Sequence, residues 1–518
     1  MAGLSKHYDR VKDMDWEPSY IDPAAKYVEP TRFHLPKKAI DPFKTFVREY
    51  FQMEREKDHR HFAMLEAASR FQSAAPEPRW MEAMKFVLSN LSSIEYSAGR
   101  QMGRMARVVA PTELRQGYMM QALDEMRHTQ LELGTLRHHM RTWEDPAGYD
   151  IALYGTSTNL GAGIFRAFIE DSLTCDAVET SLAIQVFGET ASTNMFFVGM
   201  TTAATLSGDP VLASTLLTIQ SDEARHMANG YATLVTLLSD DRNVPLVQDV
   251  MDKWSWRNHV GFEVPLLLAA DYFTKHKTES GKEMYERWIL EDFYGNFYRK
   301  LEKYGIKRPM WMDHMLRNIE WASHSAAVYL FGAWPEFYHR YDPPDEREMD
   351  WFEKKYPGWY SYYGKFWESY RESMDPRNRK FILADLGKLP AFCRVCQLPW
   401  IFPRPDASSG RRIWKDGQWL VFCSPGCEWI YHREPEHYRG FKTFYDIYDG
   451  WEFSDLVRDL GYIRPDGKTL IAQPWLNREY MWTIEDLKAC DYIVDSPLHT
   501  QPVETGEGKD ELIDQARL

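Results

Sequence analysis

The sequence predicts a mainly α-helical protein: a four-helix bundle core extended by further helices, with a small four-cysteine, metal-stapled module near the C-terminus. Three observations carry this expectation. Apolar residues recur at three- and four-residue spacing from about Asp41 to about residue 330. One five-residue pattern, Asp-Glu-x-Arg-His, occurs twice, at Asp124–His128 and at Asp222–His226. Four of the six cysteines fall in two close pairs, Cys393/Cys396 and Cys423/Cys427.

Residues 1–40 are rich in proline and charge and read as an extended arm. Residues 41–330 read as the helical core, with helices over Leu65–Arg70, Trp80–Met105, Leu114–Met140, Phe165–Met200 and Val211–Leu238. Punctuation supports these bounds. Pro76 and Pro78 precede one helix and Pro111 opens the next, while Ser207-Gly208-Asp209-Pro210 reads as a loop, an N-cap and a first-turn proline. Residues 331–390 read as a helical extension. A small module comes next over 391–450, with a β-like run at Gln418–Cys423, and a C-terminal extension ending in a polar tail occupies 451–518.

Composition narrows the function classes. The 518 residues carry 44% hydrophobic and 14% aromatic side chains, enough for a large core, and a net charge of −14. That acidic balance argues against nucleic acid or an anionic membrane as the main partner. Met1–Asp13 has no apolar stretch of the signal-peptide kind, and the most apolar run, around Val264–Ala270, is far too short to span a bilayer. Six cysteines in so long a chain do not make a disulfide scaffold. The expected location is the reducing cytoplasm.

The two boxes carry the chemistry. Glu125 and His128, like Glu223 and His226, stand three residues apart, which on a helix stacks them on one face. A carboxylate and an imidazole so placed can bind one cation, and oxygen-rich sets with one nitrogen per metal suit iron or manganese. A lone Glu-x-x-His means little; Glu56/His59 and Glu434/His437 are two such cases here. The repeated five-residue box is far more specific. A ferritin-like two-metal bundle needs one further glutamate from the helix before each box. Glu95 lies 30 residues before Glu125 and Glu189 lies 34 before Glu223, the latter in the uncharged stretch Thr180–Met200 apart from itself. A buried, unpaired carboxylate is costly and wants a cation. Asp124 and Asp222 point off the ligand face, where each can reach the histidine of the other box and fix its tautomer, with Arg127 and Arg225 balancing their charge.

These residues resemble the large subunit of bacterial multicomponent soluble di-iron monooxygenases. Leu301-Glu302-Lys303-Tyr304-Gly305, Lys355–Tyr360 and the stretch from Gly461-Tyr462 to Gln473-Pro474 extend the likeness, most closely to the propane-oxidising members. The resemblance implies six ligands to two irons, Glu95, Glu125, His128, Glu189, Glu223 and His226. It implies O2 activation and insertion of one oxygen atom into a small organic substrate, propane-like alkanes first, with alkenes, ketones or phenols also in reach. Electrons would come from NADH through a separate flavin/2Fe–2S reductase. The chain itself shows no Gly-rich dinucleotide loop and no ferredoxin-type cysteine spacing, so no bound NAD or flavin is expected on it. Smaller hydroxylase subunits, a small coupling protein and a dimer of this subunit within a hetero-oligomer complete the implied assembly.

Thr193 and Asn194 match the family's active-site threonine and the asparagine after it. Thr193 would assist proton delivery, although a hydroxyl bonded to the carbonyl four residues back is the plainer reading. Spacing and resemblance place Leu91, Phe168, Gly188 and Phe197 in the substrate pocket. Glu132, seven residues after Glu125, departs from the family and is expected to shape substrate choice, to relay protons, or to lean outward to Arg137. Cys393, Cys396, Cys423 and Cys427 suit a tetrahedral structural zinc, with a redox pair as the alternative. Two rival functions stay open: another di-iron carboxylate protein, of the iron-storing or radical-generating kind, and a non-catalytic partner subunit.

Overall fold

Proline and aspartate set where the helices begin. The computed structural model describes residues 29–40, 45–71, 76–109, 111–143, 149, 162–328, 330–331, 341–374, 392–398 and 411–439. Most of the expected arm, parts of the 331–390 extension and the whole expected C-terminal extension lie outside the described residues.

Helix α1 spans Val47–Phe71, α2 Pro78–Val108 and α3 Thr112–Thr142. Pro78 occupies the first turn of α2, where its missing N–H costs nothing. The expected helix over Phe165–Met200 is interrupted. Helix α4 (Gly163–Thr174) ends where Cys175 turns extended, and Asp176 then caps α5 (Ala177–Ser181) by accepting from the backbone N–H groups of Val178 and Glu179. From Leu182 to Ala191 the chain widens into a π-helix, and α6 (Ser192–Leu206) resumes the α-helical turn. Asp209 caps α7 (Pro210–Leu237) through Leu212 N at 3.0 Å, with Pro210 in the first turn.

The bundle consists of α2, α3, the α5–π–α6 run and α7, with short links joining α2 to α3 and α6 to α7. Helix α1 lies across α3 and α7. Helix α8 (Val244–Asn258) packs on the π-helical run and continues through a second π turn, His259–Glu263, into α9 (Val264–Tyr272). The N-terminal segment is tied down at residues 31–34: Thr31 Oγ1 donates to Asp176, Arg32 pairs with Glu179, and His34 N donates to Asn243 Oδ1 at 2.9 Å. Within 341–374, helices Glu346–Lys355 and Lys365–Met374 flank a π turn.

The cysteine module holds the one sheet among the described residues. Strands β1 (Arg411–Lys415) and β2 (Gln418–Phe422) pair antiparallel through a tight turn in which Asp416 and Gly417 both take positive φ, as a two-residue hairpin demands. Helix α10 (Pro425–Arg433) comes after β2, capped by Ser424. The module's buried face packs on Trp256 and Val260.

Candidate metal centre

Six side chains from four elements converge inside the bundle. Glu95 comes from α2, Glu125 and His128 from α3, Glu189 from the π-helix, and Glu223 and His226 from α7. His128 Nδ1 lies 3.4 Å from Glu95 Oε2, 3.4 Å from Glu125 Oε2 and 3.6 Å from Glu223 Oε1. His226 Nδ1 lies 3.5 Å from Glu125 Oε1, 3.6 Å from Glu189 Oε1 and 3.2 Å from Glu223 Oε2. Glu125 and Glu223 therefore each offer one oxygen toward either imidazole, while Glu95 stands at His128 and Glu189 at His226. The result is two subsites sharing two bridging carboxylates, with ring centres 5.7 Å apart.

The electrostatics fit cations. Burial pushes Glu125 up to about 8, with Glu95 nearby adding repulsion, and lifts Glu189 well above the usual carboxylate range. Glu189 Oε2 is buried with no hydrogen-bond partner. Burial alone would lower His128, yet its hydrogen bonds with Asp222, Glu125 and Glu95 raise it well above the ordinary imidazole value. Burial thus favours the neutral form of Glu125 and Glu189, as it does for carboxylates packed together without a neighbouring cation. Two divalent ions with oxygen-rich coordination satisfy that set.

A second ring of residues fixes the histidines. Asp222 Oδ2 lies 3.1 Å from His128 Nε2 and Asp124 Oδ2 lies 3.3 Å from His226 Nε2, so each box's aspartate reaches across to the other box's histidine. Arg225 Nη2 donates to both aspartates, at 2.9 Å to Asp124 and 2.7 Å to Asp222, and Arg127 pairs with Asp222. Helix α1 closes this ring with three residues that the sequence pattern does not single out. Tyr50 donates to Asp124 Oδ1 at 2.8 Å, Lys57 pairs with Asp222, and Glu54 accepts from Arg225 at 2.9 Å and pairs with Arg127 at 2.7 Å. Gln121 likewise lies outside the expected set. Its amide donates to Glu125 Oε1 at 3.0 Å and Glu189 Oε1 at 2.6 Å, and its oxygen accepts from Gln185. The only local signal for Gln121 is its place one turn before Glu125.

The carboxylates open onto a cavity of about 200 Å³ with mostly apolar walls. Leu91, Gly188, Phe197 and Thr193 line it, beside Glu95, Glu125, Glu189 and Glu223. Two expected pocket residues are not in its wall. Phe168 turns into the core, with ring centres 5.1 Å from Trp254 and 4.8 Å from Phe262. Glu132 is buried away from the cavity, and neither of its oxygens has a hydrogen-bond partner among the described residues. Arg137 is exposed, so the expected outward pairing is absent. Burial lifts Glu132 well above the carboxylate range, with repulsion from Glu95 adding to it, which favours its neutral form beside Glu95, Glu125 and His128. Asn194 points away from the cavity, its amide 3.4 Å from Asp292 Oδ2. Glu56 and His59 are exposed on α1.

The four module cysteines are buried and unbridged, with Cys423 Sγ 3.5 Å from both Cys396 Sγ and Cys427 Sγ. Trp256 Nε1 donates to Cys427 Sγ at 3.3 Å and Leu398 N to Cys396 Sγ at 3.5 Å. Sulfurs gathered this way, with N–H donors aimed at them, suit a tetrahedral S4 metal site.

A helical bundle with two carboxylate-bridged His subsites is the architecture of di-iron carboxylate proteins. Comparison narrows the class. Residues 16–241 match the family model for methane/phenol/alkene hydroxylases. The chain is 34% identical to the propane 2-monooxygenase hydroxylase component large subunit of Gordonia sp. (strain TY-5), over 94% of this chain and 93% of that protein. It is 32% identical to the methane monooxygenase component A alpha chain of Methylococcus capsulatus (strain ATCC 33009 / NCIMB 11132 / Bath), over 90% of each. Phenol hydroxylase from Pseudomonas sp. OX1, solved under xenon pressure, superposes with a TM-score of 0.77 at 27% identity, covering 88% of this chain and 93% of that one. The chain belongs to the methane/phenol/alkene hydroxylase family and is a catalytic di-iron hydroxylase of a multicomponent monooxygenase. No helix among the described residues is long and apolar enough to cross a membrane.

Proposed function

We propose that Glu95, Glu125, His128, Glu189, Glu223 and His226 bind two irons, and that the cavity beside them takes a small apolar substrate, propane-like in size. The observation that carries this reading is the meeting of two Glu/His subsites with a cavity of about 200 Å³ whose walls are mostly apolar. Two irons bound there would supply O2 activation, with electrons from NADH through a separate reductase, for insertion of one oxygen atom into the substrate and release of the other as water. The protein's part is placement. Asp124 and Asp222 hold the outer ring nitrogens, so Nδ1 of each histidine faces the carboxylates. Apolar walls keep water from the reacting carbon. Thr193, at the cavity wall near Glu189, carries a proton at its hydroxyl. Smaller hydroxylase subunits and a small coupling protein complete the assembly, this chain forming a dimer within it, and Cys393, Cys396, Cys423 and Cys427 hold a structural zinc.

Convergence of all six donors favours this reading over a non-catalytic partner subunit. The test is iron quantification, then a panel of gaseous and liquid hydrocarbons with partner proteins added. Two irons per chain and NADH oxidation that depends on a small alkane are expected; iron-free protein, or NADH oxidation indifferent to hydrocarbon, overturns it. Thr193→Ala is expected to raise NADH used per product formed, and unchanged coupling removes the role of its hydroxyl.

A further inference from the structure

The loop of the cysteine module reaches the wall of the cavity. Cys393 N donates to Leu398 O at 3.0 Å and Gln397 N donates to Cys393 O at 2.9 Å, so the chain folds back tightly around the sulfurs. Gln397 takes φ 55, a left-handed conformation that only a fixed turn imposes on a residue of this type. That turn delivers Leu398, whose own N–H points at Cys396 Sγ. Leu398 packs on both the module's core and the neighbouring core of the helical body, and it lines the cavity.

Two further ties run from the module to the same walls. Gln397 Oε1 accepts from Arg166 Nη2 at 2.8 Å, and Arg166 comes directly after Ile164 and Phe165, both wall residues on α4. Cys427 Sγ accepts from Trp256, and Val260, one turn beyond it, is also in the wall. Both N–H···S contacts are strongest to a charged, metal-bound sulfur and weaken to a neutral thiol.

We infer that Leu398 is a size-determining residue of the substrate cavity, held in register by metal at the four cysteines. This rests on the reading that the cavity receives the substrate and that Cys393, Cys396, Cys423 and Cys427 bind a metal. The module is then part of the specificity apparatus as well as a staple. Losing its metal slackens the wall without touching the di-iron ligands.

Xenon is an apolar probe that needs no turnover. Its binding to the purified, iron-loaded chain is measured by xenon NMR titration, with iron content and thermal unfolding as controls for folding. Leu398→Phe is expected to weaken xenon binding by about fivefold or more. Leu398→Ala is expected to bind a bulkier apolar probe, cyclohexane, several-fold more tightly than the parent chain. Cys393→Ser is expected to speed amide exchange in Gly163–Thr174 while iron content holds. Leu91→Phe, on α2, fills the cavity independently of the module. If it weakens xenon binding and both Leu398 variants behave like the parent, the inference falls and the cavity reading stands. If none of the three changes probe binding, both fall. Unchanged exchange in Cys393→Ser overturns the part assigned to the metal.

Discussion

At His128 and His226 the ring nitrogen facing away from the carboxylates decides what the other can do. Each Nε2 meets an aspartate from the opposite box, which fixes the proton there and leaves Nδ1 as the lone-pair donor. Asp222→Asn removes the charge that holds this tautomer and takes from Arg127, Arg225 and Lys57 one of their two shared carboxylates, leaving Glu54. Iron affinity, read by competition with a chelator, is expected to drop about 10- to 100-fold; an unchanged affinity would sink the orienting role. The crossing of these aspartates was legible in the sequence, because a residue beside each ligand on a helix points about 100° away from it. The clamp from α1 was not. Tyr50, Glu54 and Lys57 carry no motif, and Tyr50 reaches Asp124 across 74 residues of chain while Glu54 reaches Arg225 across 171. Glu132 shows the opposite failure: spacing set it beside Glu95, Glu125 and His128, but spacing says nothing of depth, and it is buried outside the cavity wall.

The π-helix over Leu182–Ala191 is the element that sets the second subsite. A π turn inserts one extra residue and rotates every later side chain relative to an α-helix, and such insertions gather at functional sites. Thr190 Oγ1 bonds Gln185 O, five residues back, at 2.7 Å, in keeping with the widened turn. Inserting one further alanine after Ala183 is expected to turn Glu189 about 100° off His226, so that iron stoichiometry falls from two per chain toward one; two tightly held irons in the insertion variant would show that the register of this segment is not needed. Apolar periodicity could not reveal this segment, since Leu182–Phe187 is apolar except for Gln185 and gives no face to count from. The break at Cys175-Asp176 could have been found. Asp176 with Glu179 three residues on has the pattern of a helix start, and Asp176 does cap α5.

Across the whole molecule, buried ion pairs join segments that are distant in the chain. Arg79, at the start of α2, donates to the carbonyls of Asp342 and Pro343 and pairs with Glu348, which Lys277 also holds. Burial alone would raise Glu348, but the two cations hold its carboxyl at about 2, down from 4.5. A depressed carboxyl stabilises the fold above its unfolded value and ceases to as pH falls through the folded one. Glu348→Gln is therefore expected to cost about 3 kcal/mol near neutral pH. By urea unfolding, the gap from the parent should persist down to pH 4.5 and shrink toward pH 2; a gap that does not change with pH would assign the cost to packing instead. Helix content, bundle order and the cysteine pairs were visible in periodicity and spacing. How the module meets the bundle was not, because Leu398 and Arg166 announce themselves only once the chain is folded.

Helix α1 contributes no ligand, yet Tyr50 and Lys57 hold the two aspartates that hold the two histidines. Metal uptake and the seating of that helix are consequently linked equilibria, and the linkage is reciprocal. Whatever factor a docked α1 adds to iron affinity, bound iron returns to the docking of α1. A partner protein that merely tugs on this outer helix would thereby change how firmly the irons are kept, without coming near them.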